Sequence, residues 1–469
     1  MVLYFIGSKL KIHRLGGNKV EGYEEKLKFL EQLVEEKRFT ELKDYLMNMM
    51  PADIAEFIDE MSPSEALIVY RLLPKSEAVD VFPLIDMERQ KEITSLISED
   101  ELKAIIDELY FDDMIDLVGE VPANIVKKIL KNSTQKQRTL INQFLKYPED
   151  SAGSLMTIEF VDLHKKMTAQ EAMKRIRETG LDKETIYTCY IMAEHRELEG
   201  ILSLKNLVLA REDETIENIM TDDYISVNTH DDQEYIAEIF KKYDLLSLPV
   251  VDNERRLVGI ITIDDIVDVI EEETTEDFQL MAAIAPSDDE YMTMSAFMLA
   301  KKRIVWLVIL MFSATISQLI TDQHSFLTAQ FTVLVGVMPM LMSTGGNAGA
   351  QSSTLVIRGL TLGDIKFSDL LKVIWKEVRV GIIIGITLGF LNFLRIMLFS
   401  RNVKLAIIVG LTLIGTTTMA ALMGGILPIV AKKVKLDPAI MASPLITTIT
   451  DATTLLIFFT IAAWIFLGV

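Results

Sequence analysis

The chain has 469 residues, half of them apolar and a quarter charged, with a formal net charge of −21. It is too long for one hydrophobic core, so two to four domains are expected. Its acidity argues against nucleic acid as a partner and favours cations.

The charge is divided unevenly. From residue 304 onward 11 Lys and Arg face 6 Asp and Glu, so residues 1–303 carry about −26. A strongly acidic soluble part, ill suited to anionic lipid headgroups, is thus joined to a weakly basic and very apolar part. Cys189 is the only cysteine, which rules out a disulfide framework or thiolate cluster and fits a reducing cytosol. His13, His164, His195, His230 and His324 are scattered without ligand spacing, so a zinc site is not expected.

Residues 1–20 read as a tail. The apolar run 2–6 precedes Lys9, Lys11 and Arg14, an order and a length wrong for a secretory signal. Residues 21–150 read as an acidic domain of short amphipathic helices arranged as a small superhelix. Apolar residues recur at helical spacing, as in Leu27, Leu30, Leu33 and Val34, and Pro51, Pro63, Pro74, Pro83 and Pro122 punctuate them. A duplication follows over 151–277, with units at about 151–215 and 216–277. LEGILSLKNLV (198–208) matches LVGIITIDDIV (257–267) at an offset of 59, and Met156-Thr157 recurs as Met220-Thr221. Each unit combines helices with a strand pair. Residues 265–300 form an acidic connecting helix and loop.

Residues 301–469 read as a transmembrane domain with five spans, about 303–321, 327–355, 378–400, 403–431 and 444–468. Lys301, Lys302 and Arg303, the basic segment 358–379, and Lys432, Lys433 and Lys435 place the N-terminal domains in the cytosol and the C-terminus outside the cell membrane. The second span holds GGNAGAQSS, whose Gly345, Gly346 and Gly349 after Pro339 are expected to break a helix. Gly424, Gly425 and Pro428 are expected to disrupt the fourth. Gly381, Gly385 and Gly389, four apart, read as close helix packing. In the last span Asp451 is the sole acid among uncharged residues and is flanked by Thr447, Thr448, Thr450, Thr453 and Thr454. A carboxylate at that depth costs about 3 kcal/mol unless it meets a partner or a wet cavity. A structural hydrogen bond to another helix is one reading; a cation path is the other.

The duplicated unit resembles a tandem pair of CBS domains, and the whole chain after about residue 20 resembles the MgtE family of magnesium channels. The resemblance is carried by the acidic helical domain, the CBS pair, the EEETTED helix, GGNAG-x-Q…RGL, and P-L-x-T-x-x-T-D of the last span. It implies a multidomain α plus α/β membrane protein that forms a homodimer with its pore on the two-fold axis. Asp451 would hold hydrated Mg²⁺, with Asn347, Gly346, Gln351, Thr447 and Thr450 along the path. It further implies Mg²⁺ sensing by Asp112 and Asp116 in the helical domain, Glu234 and Asp244 in the second CBS unit, and Asp265, Asp268, Glu273, Glu276 and Asp277 along the connecting helix. CBS pairs commonly bind an adenosine nucleotide through Ser/Thr-x-x-Asp; Thr262 and Asp265 fit that pattern, whereas the first copy has Ser203 and Asn206.

The expected function is passive Mg²⁺ uptake through a channel closed by Mg²⁺ on the acidic domains. Mg²⁺ keeps its waters and asks for few carboxylates. The rival transporter is an exchanger coupled to Na⁺ or H⁺. A membrane-anchored nucleotide sensor would need no polar spans. An enzyme has no nucleophile motif, metal cluster or phosphate cradle to support it.

Overall fold

In the computed structural model the described residues are 19–469, apart from 108, 288–290, 292–293, 442 and 469. Nearly all of the expected tail lies outside them. The chain forms two compact units, 1–269 and 270–469.

The first unit begins with ten helices among the described residues, from Lys19–Glu35 to Gln135–Phe144. Local chemistry sets their starts. Pro51 and Pro63 occupy first-turn positions, where a missing N–H costs nothing. Ser98 with Glu101, and Thr134 with Gln137, form reciprocal capping boxes. Leu30, Leu33 and Leu42 from the first turns of this array are fully buried. We label the helix Phe111–Glu120 α1.

Two three-stranded sheets follow with the same topology. Strand β1 (Val161–Leu163) runs parallel to β2 (Thr188–Met192), which pairs antiparallel with β3 (Leu198–Ser203). Strands β4 (Val227–Asn228), β5 (Ser247–Val251) and β6 (Leu257–Thr262) repeat that order, with α2 (Gln233–Tyr243) between β4 and β5. The sequence duplication has a reciprocal structural meaning. Thr157, ahead of the first sheet, pairs with Ile260 of the second, and Thr221, ahead of the second, pairs with Ile201 of the first. A Cβ on Gly259 would stand 2.6 Å from the Thr157 carbonyl, and one on Gly200 would stand 2.8 Å from that of Thr221. Each Met-Thr segment therefore needs the glycine of the other repeat. A buried 2.8 Å hydrogen bond between the Tyr190 and Ser247 hydroxyls also joins the two repeats.

The second repeat shares one core with the helical array. Ile236, Val250, Ile261 and Ile266 cluster with Met114, Ile115 and Val118 of α1. That packing brings α1 to the start of α3 (Ile263–Met281), the connecting helix.

The second unit contains the long helices α4 (Ala296–Gln323), α5 (Met338–Thr361), α6 (Leu370–Phe399), α7 (Val403–Lys433) and α8 (Ser443–Leu467). Among the described residues, α4, α6, α7 and α8 are long and apolar enough to cross a membrane. The expected second span differs from the reading above in two ways. It starts later, after a short helix Ser325–Gln330 and a 3₁₀ turn Thr332–Val337, and α5 is unbroken over 24 residues. Pro339 sits in its first turn, and Gly345, Gly346 and Gly349 are buried against other helices. Ser343, Thr344, Asn347, Gln351, Ser352 and Ser353 together with these glycines lower the apolar content of α5, but neighbouring side chains hold it helical. The fourth span is likewise continuous through Gly424, Gly425 and Pro428.

Small residues set the spacing in this bundle. A Cβ on Gly381 would lie 2.6 Å from the Thr418 Cα, and one on Gly385 2.6 Å from the Ile414 Cα. Helices α6 and α7 therefore touch backbone to backbone. Ser352 on α5 is hydrogen-bonded to the Glu377 carboxylate of α6 at 2.7 Å and to the Ala421 carbonyl of α7 at 2.9 Å, tying three helices together.

Candidate functional site

Asp451 lies near the middle of the first half of α8, on a partly exposed face. Among the described residues it makes no ion pair with Lys or Arg. Four of its threonine neighbours, Thr447, Thr448, Thr450 and Thr453, place their hydroxyl protons on carbonyls of their own helix, whereas the buried Thr454 hydroxyl has no partner among the described residues. Thr447 donates to the Pro444 carbonyl at 2.9 Å, Thr448 to the same carbonyl at 3.1 Å, and Thr453 to that of Ile449 at 3.1 Å. With the protons directed along the backbone, the oxygen lone pairs remain as acceptors, which suits a cation or its waters.

Helix α5 packs on this segment. Thr447 Cγ2 would meet a Cβ on Gly346 at 2.9 Å, and Thr450 Cγ2 one on Gly349 at 3.3 Å. Thr450 is only 1% exposed, donates to the Thr447 carbonyl, and shapes this contact rather than a surface. Gly346 does the same from the other side. Asn347 and Gln351, four apart, are exposed on α5.

A cluster of acids has formed in the first unit. Asp112 and Asp113 on α1 share an electrostatic environment with Asp264 and Asp265 at the start of α3, with Glu184 ahead of β2, and with Glu159. Burial first, and then these like charges, raise every one of the shifted groups. Asp112 rises well above the ordinary carboxylate range, Asp113 and Asp265 reach about 6, and Glu184 about 8. Asp112 Oδ1 and Glu184 Oε2 are sealed from solvent without a hydrogen-bond partner. Orphaned acceptors among mutually repelling carboxylates fit a cation that supplies positive charge and, through its waters, donors. Among the described residues no three acids stand in direct metal-ligand geometry. The chemistry here therefore suits a hard ion held partly through water.

Asp265 has a further partner: the Thr262 hydroxyl donates to its Oδ2 at 2.7 Å. The Thr-x-x-Asp pair closes on itself and sits among acids, so an anionic nucleotide would need accompanying cations there. A second acidic pair lies within the other unit. Asp277 of α3 is raised to about 6 by burial, then by Asp437 and by Glu276. Asp437 sits in the link between α7 and α8.

Of the other acids singled out from the sequence, Asp268 adds to the charge that raises Asp265, and Glu276 to the charge that raises Asp277. Asp116 is exposed on α1, and Asp268 and Glu276 are exposed on α3, with Glu273 partly so. Glu234 and Asp244 are exposed at opposite ends of α2. Ten residues of helix put them about 15 Å apart, too far to share one ion. Asp113, Glu159, Glu184, Asp264 and Asp437 escaped the sequence reading. The doublets Asp112-Asp113 and Asp264-Asp265 were a usable signal, but nothing local marks Glu184 or Asp437.

An acidic two-part soluble region, followed by apolar helices with a lone carboxylate among hydroxyls, defines a multi-pass membrane transport protein. The model of the MgtE divalent cation transporter family matches residues 338–461, that of the MgtE intracellular N domain matches 49–150, and that of the CBS domain matches 216–272. The chain is 37% identical over 327 residues to the magnesium transporter MgtE of Thermus thermophilus, covering 70% of this chain and 72% of that protein. It is 32% identical to the magnesium transporter MgtE of Bacillus subtilis, covering 75% and 77%. Among solved structures, the soluble part of a magnesium transporter matches with a TM-score of 0.50 at 28% identity, covering 54% of this chain and 99% of that one. The chain belongs to the MgtE family of magnesium transporters, whose relatives are named as transporters, not enzymes.

Proposed function

We propose that this transporter works as a Mg²⁺-gated channel for passive Mg²⁺ uptake, as a homodimer with its N-terminal domains in the cytosol. One observation carries the reading: Asp451, without a cationic partner, stands on an apolar crossing helix beside threonine oxygens whose protons point elsewhere. A carboxylate so placed is stable only against water or a cation. A single well of that kind attracts a hydrated divalent ion without trapping it. A negative interior drives two charges inward with about 4.6 kcal/mol per 100 mV, so no coupling ion is needed.

The gate follows from the acids. With Mg²⁺ plentiful, ions bridge Asp112 and Asp113 to Asp264 and Asp265, and draw Asp277 toward Asp437. The second bridge ties the connecting helix to the link that leads into α8, and so shuts the path. When Mg²⁺ is scarce, repulsion loosens both. The remaining acids of α3 and α2, namely Asp268, Glu273, Glu276, Glu234 and Asp244, together with Asp116, add to this field. A nucleotide at Thr262 and Asp265 would then bind best with a divalent ion. The test is Mg²⁺ uptake into liposomes holding the purified chain. Asp451→Ala is expected to reduce flux at least tenfold, and wild-type flux is expected to fall as internal Mg²⁺ rises. Unchanged flux in the variant would overturn the permeation role. A wild-type flux that requires an opposing Na⁺ or H⁺ gradient would favour the exchanger.

A further inference from the structure

A crevice of about 220 Å³ opens in the second unit between α5, α6 and α7, lined by Met340, Leu388, Leu391 and Leu413 with Asn392 and Arg395. Its outer wall is open, since Leu391 is 56% exposed. The donor chemistry inside it is unbalanced. Arg395 directs its Nε to Asn392 Oδ1 at 2.8 Å and an Nη to the Met340 sulfur at 3.5 Å, a weak acceptor. No carboxylate pairs with this guanidinium among the described residues. Asn392, 7% exposed, has a buried Nδ2 without a partner. Two donor groups thus meet no acceptor of matching strength.

Position adds a second constraint. Arg395 is four residues from the end of α6 at Phe399, or about 6 Å along the axis, which is headgroup depth for a crossing helix. The cavity is also smaller than the ~300–1,000 Å³ that a whole small-molecule ligand occupies. It admits one portion of a larger amphiphile, charged at one end and apolar along the rest.

We propose that this crevice holds an acidic phospholipid, its phosphate on the Arg395 fork and an acyl chain against Leu388, Leu391 and Leu413. Guanidinium matches phosphate in a paired, charge-assisted geometry that a thioether cannot offer. The site is separate from Asp451 and from both acidic clusters, and does not depend on their proposed roles.

The test is native mass spectrometry of the full chain, purified in mild detergent and supplemented with phosphatidylglycerol or with phosphatidylcholine of the same acyl chains. Wild type is expected to retain phosphatidylglycerol about tenfold better than phosphatidylcholine. Arg395→Ala is expected to lose that preference, and Arg395→Lys to keep part of it. Leu391→Trp, which fills the crevice but leaves the guanidinium, is expected to lose the lipid too, and carries the test if Arg395→Ala fails to fold. Equal retention of the two lipids by wild type, or unchanged retention in both Arg395→Ala and Leu391→Trp, would overturn the proposal. So would dissociation of an oligomer in those variants with lipid retention intact, which would assign the crevice to a second copy of the chain.

Discussion

Asp112 shows how a single side chain can be a cost in one state and an asset in another. Its Oδ1 is sealed and unpartnered, with burial and Asp265 both opposing its charge. Leaving such a group unsatisfied costs about 1–3 kcal/mol. Asp112→Asn is therefore expected to raise the melting temperature of the Mg²⁺-free protein and to shrink the further stabilisation that Mg²⁺ brings; a denaturation series with and without Mg²⁺ checks both. The pH dependence has a definite sign. Asp113 and Asp265 titrate near 6 and Glu184 near 8 in the fold, against about 4 in an unfolded chain. Between those values the folded state holds protons that the unfolded state has lost, so stability falls as pH rises from about 4 to 8. A chelator-treated sample is expected to melt progressively lower across that window. Saturating Mg²⁺ is expected to flatten the trend, because the ion replaces the protons.

At the scale of elements, glycine does the same work, close helix packing, in two helices where its spacing suggested different roles, which limits what can be read from that spacing. Gly381, Gly385 and Gly389 form a stripe four apart, and α6 does pack closely on α7 there. Gly385→Leu places atoms where the Ile414 backbone now lies, and is expected to destabilise the bundle by about 1–3 kcal/mol, read as a lower melting temperature in detergent. The GGNAG segment carries as many glycines yet does not interrupt α5. Each interior glycine lowers helix propensity by about 1 kcal/mol, so an isolated segment would fray. Close packing on Thr447, Ile446 and Thr416 outweighs that penalty, and tertiary contact of this kind leaves no local trace in a sequence. The repeats were legible because the same strand pattern and the same Met-Thr recur. That each Met-Thr serves the other repeat's glycine was not, because the pairing partners are about 100 and 20 residues apart and lie in opposite directions along the chain.

At the scale of the molecule, the division of charge is the organising fact: acids gather in the first part of the chain, and of the six that follow residue 304 only Asp451 lies within the last apolar helix. The acidic connecting helix was plain in the sequence, but its counterpart was not. Asp437 belongs to a basic stretch beside Lys432, Lys433 and Lys435, and only the fold sets it against Asp277. Asp437→Asn removes one half of that repulsion and one ligand of the proposed bridge. It is expected to raise severalfold the internal Mg²⁺ needed to halve uptake, while flux at low internal Mg²⁺ stays near wild type; a liposome series with graded internal Mg²⁺ reads both.

Permeation requires water to reach Asp451, and the lone cysteine makes that directly measurable. Cys189 is buried, so Cys189→Ser gives a background without thiols in which Asp451→Cys can be probed by a charged, water-soluble thiol reagent. The reagent needs a hydrated thiolate to react. The expected result is rapid modification at position 451, slowed by Mg²⁺, with an apolar site on the same helix, Leu456→Cys, reacting far more slowly. Equal, slow reaction at both positions would show that residue 451 faces a dry environment and would contradict the account.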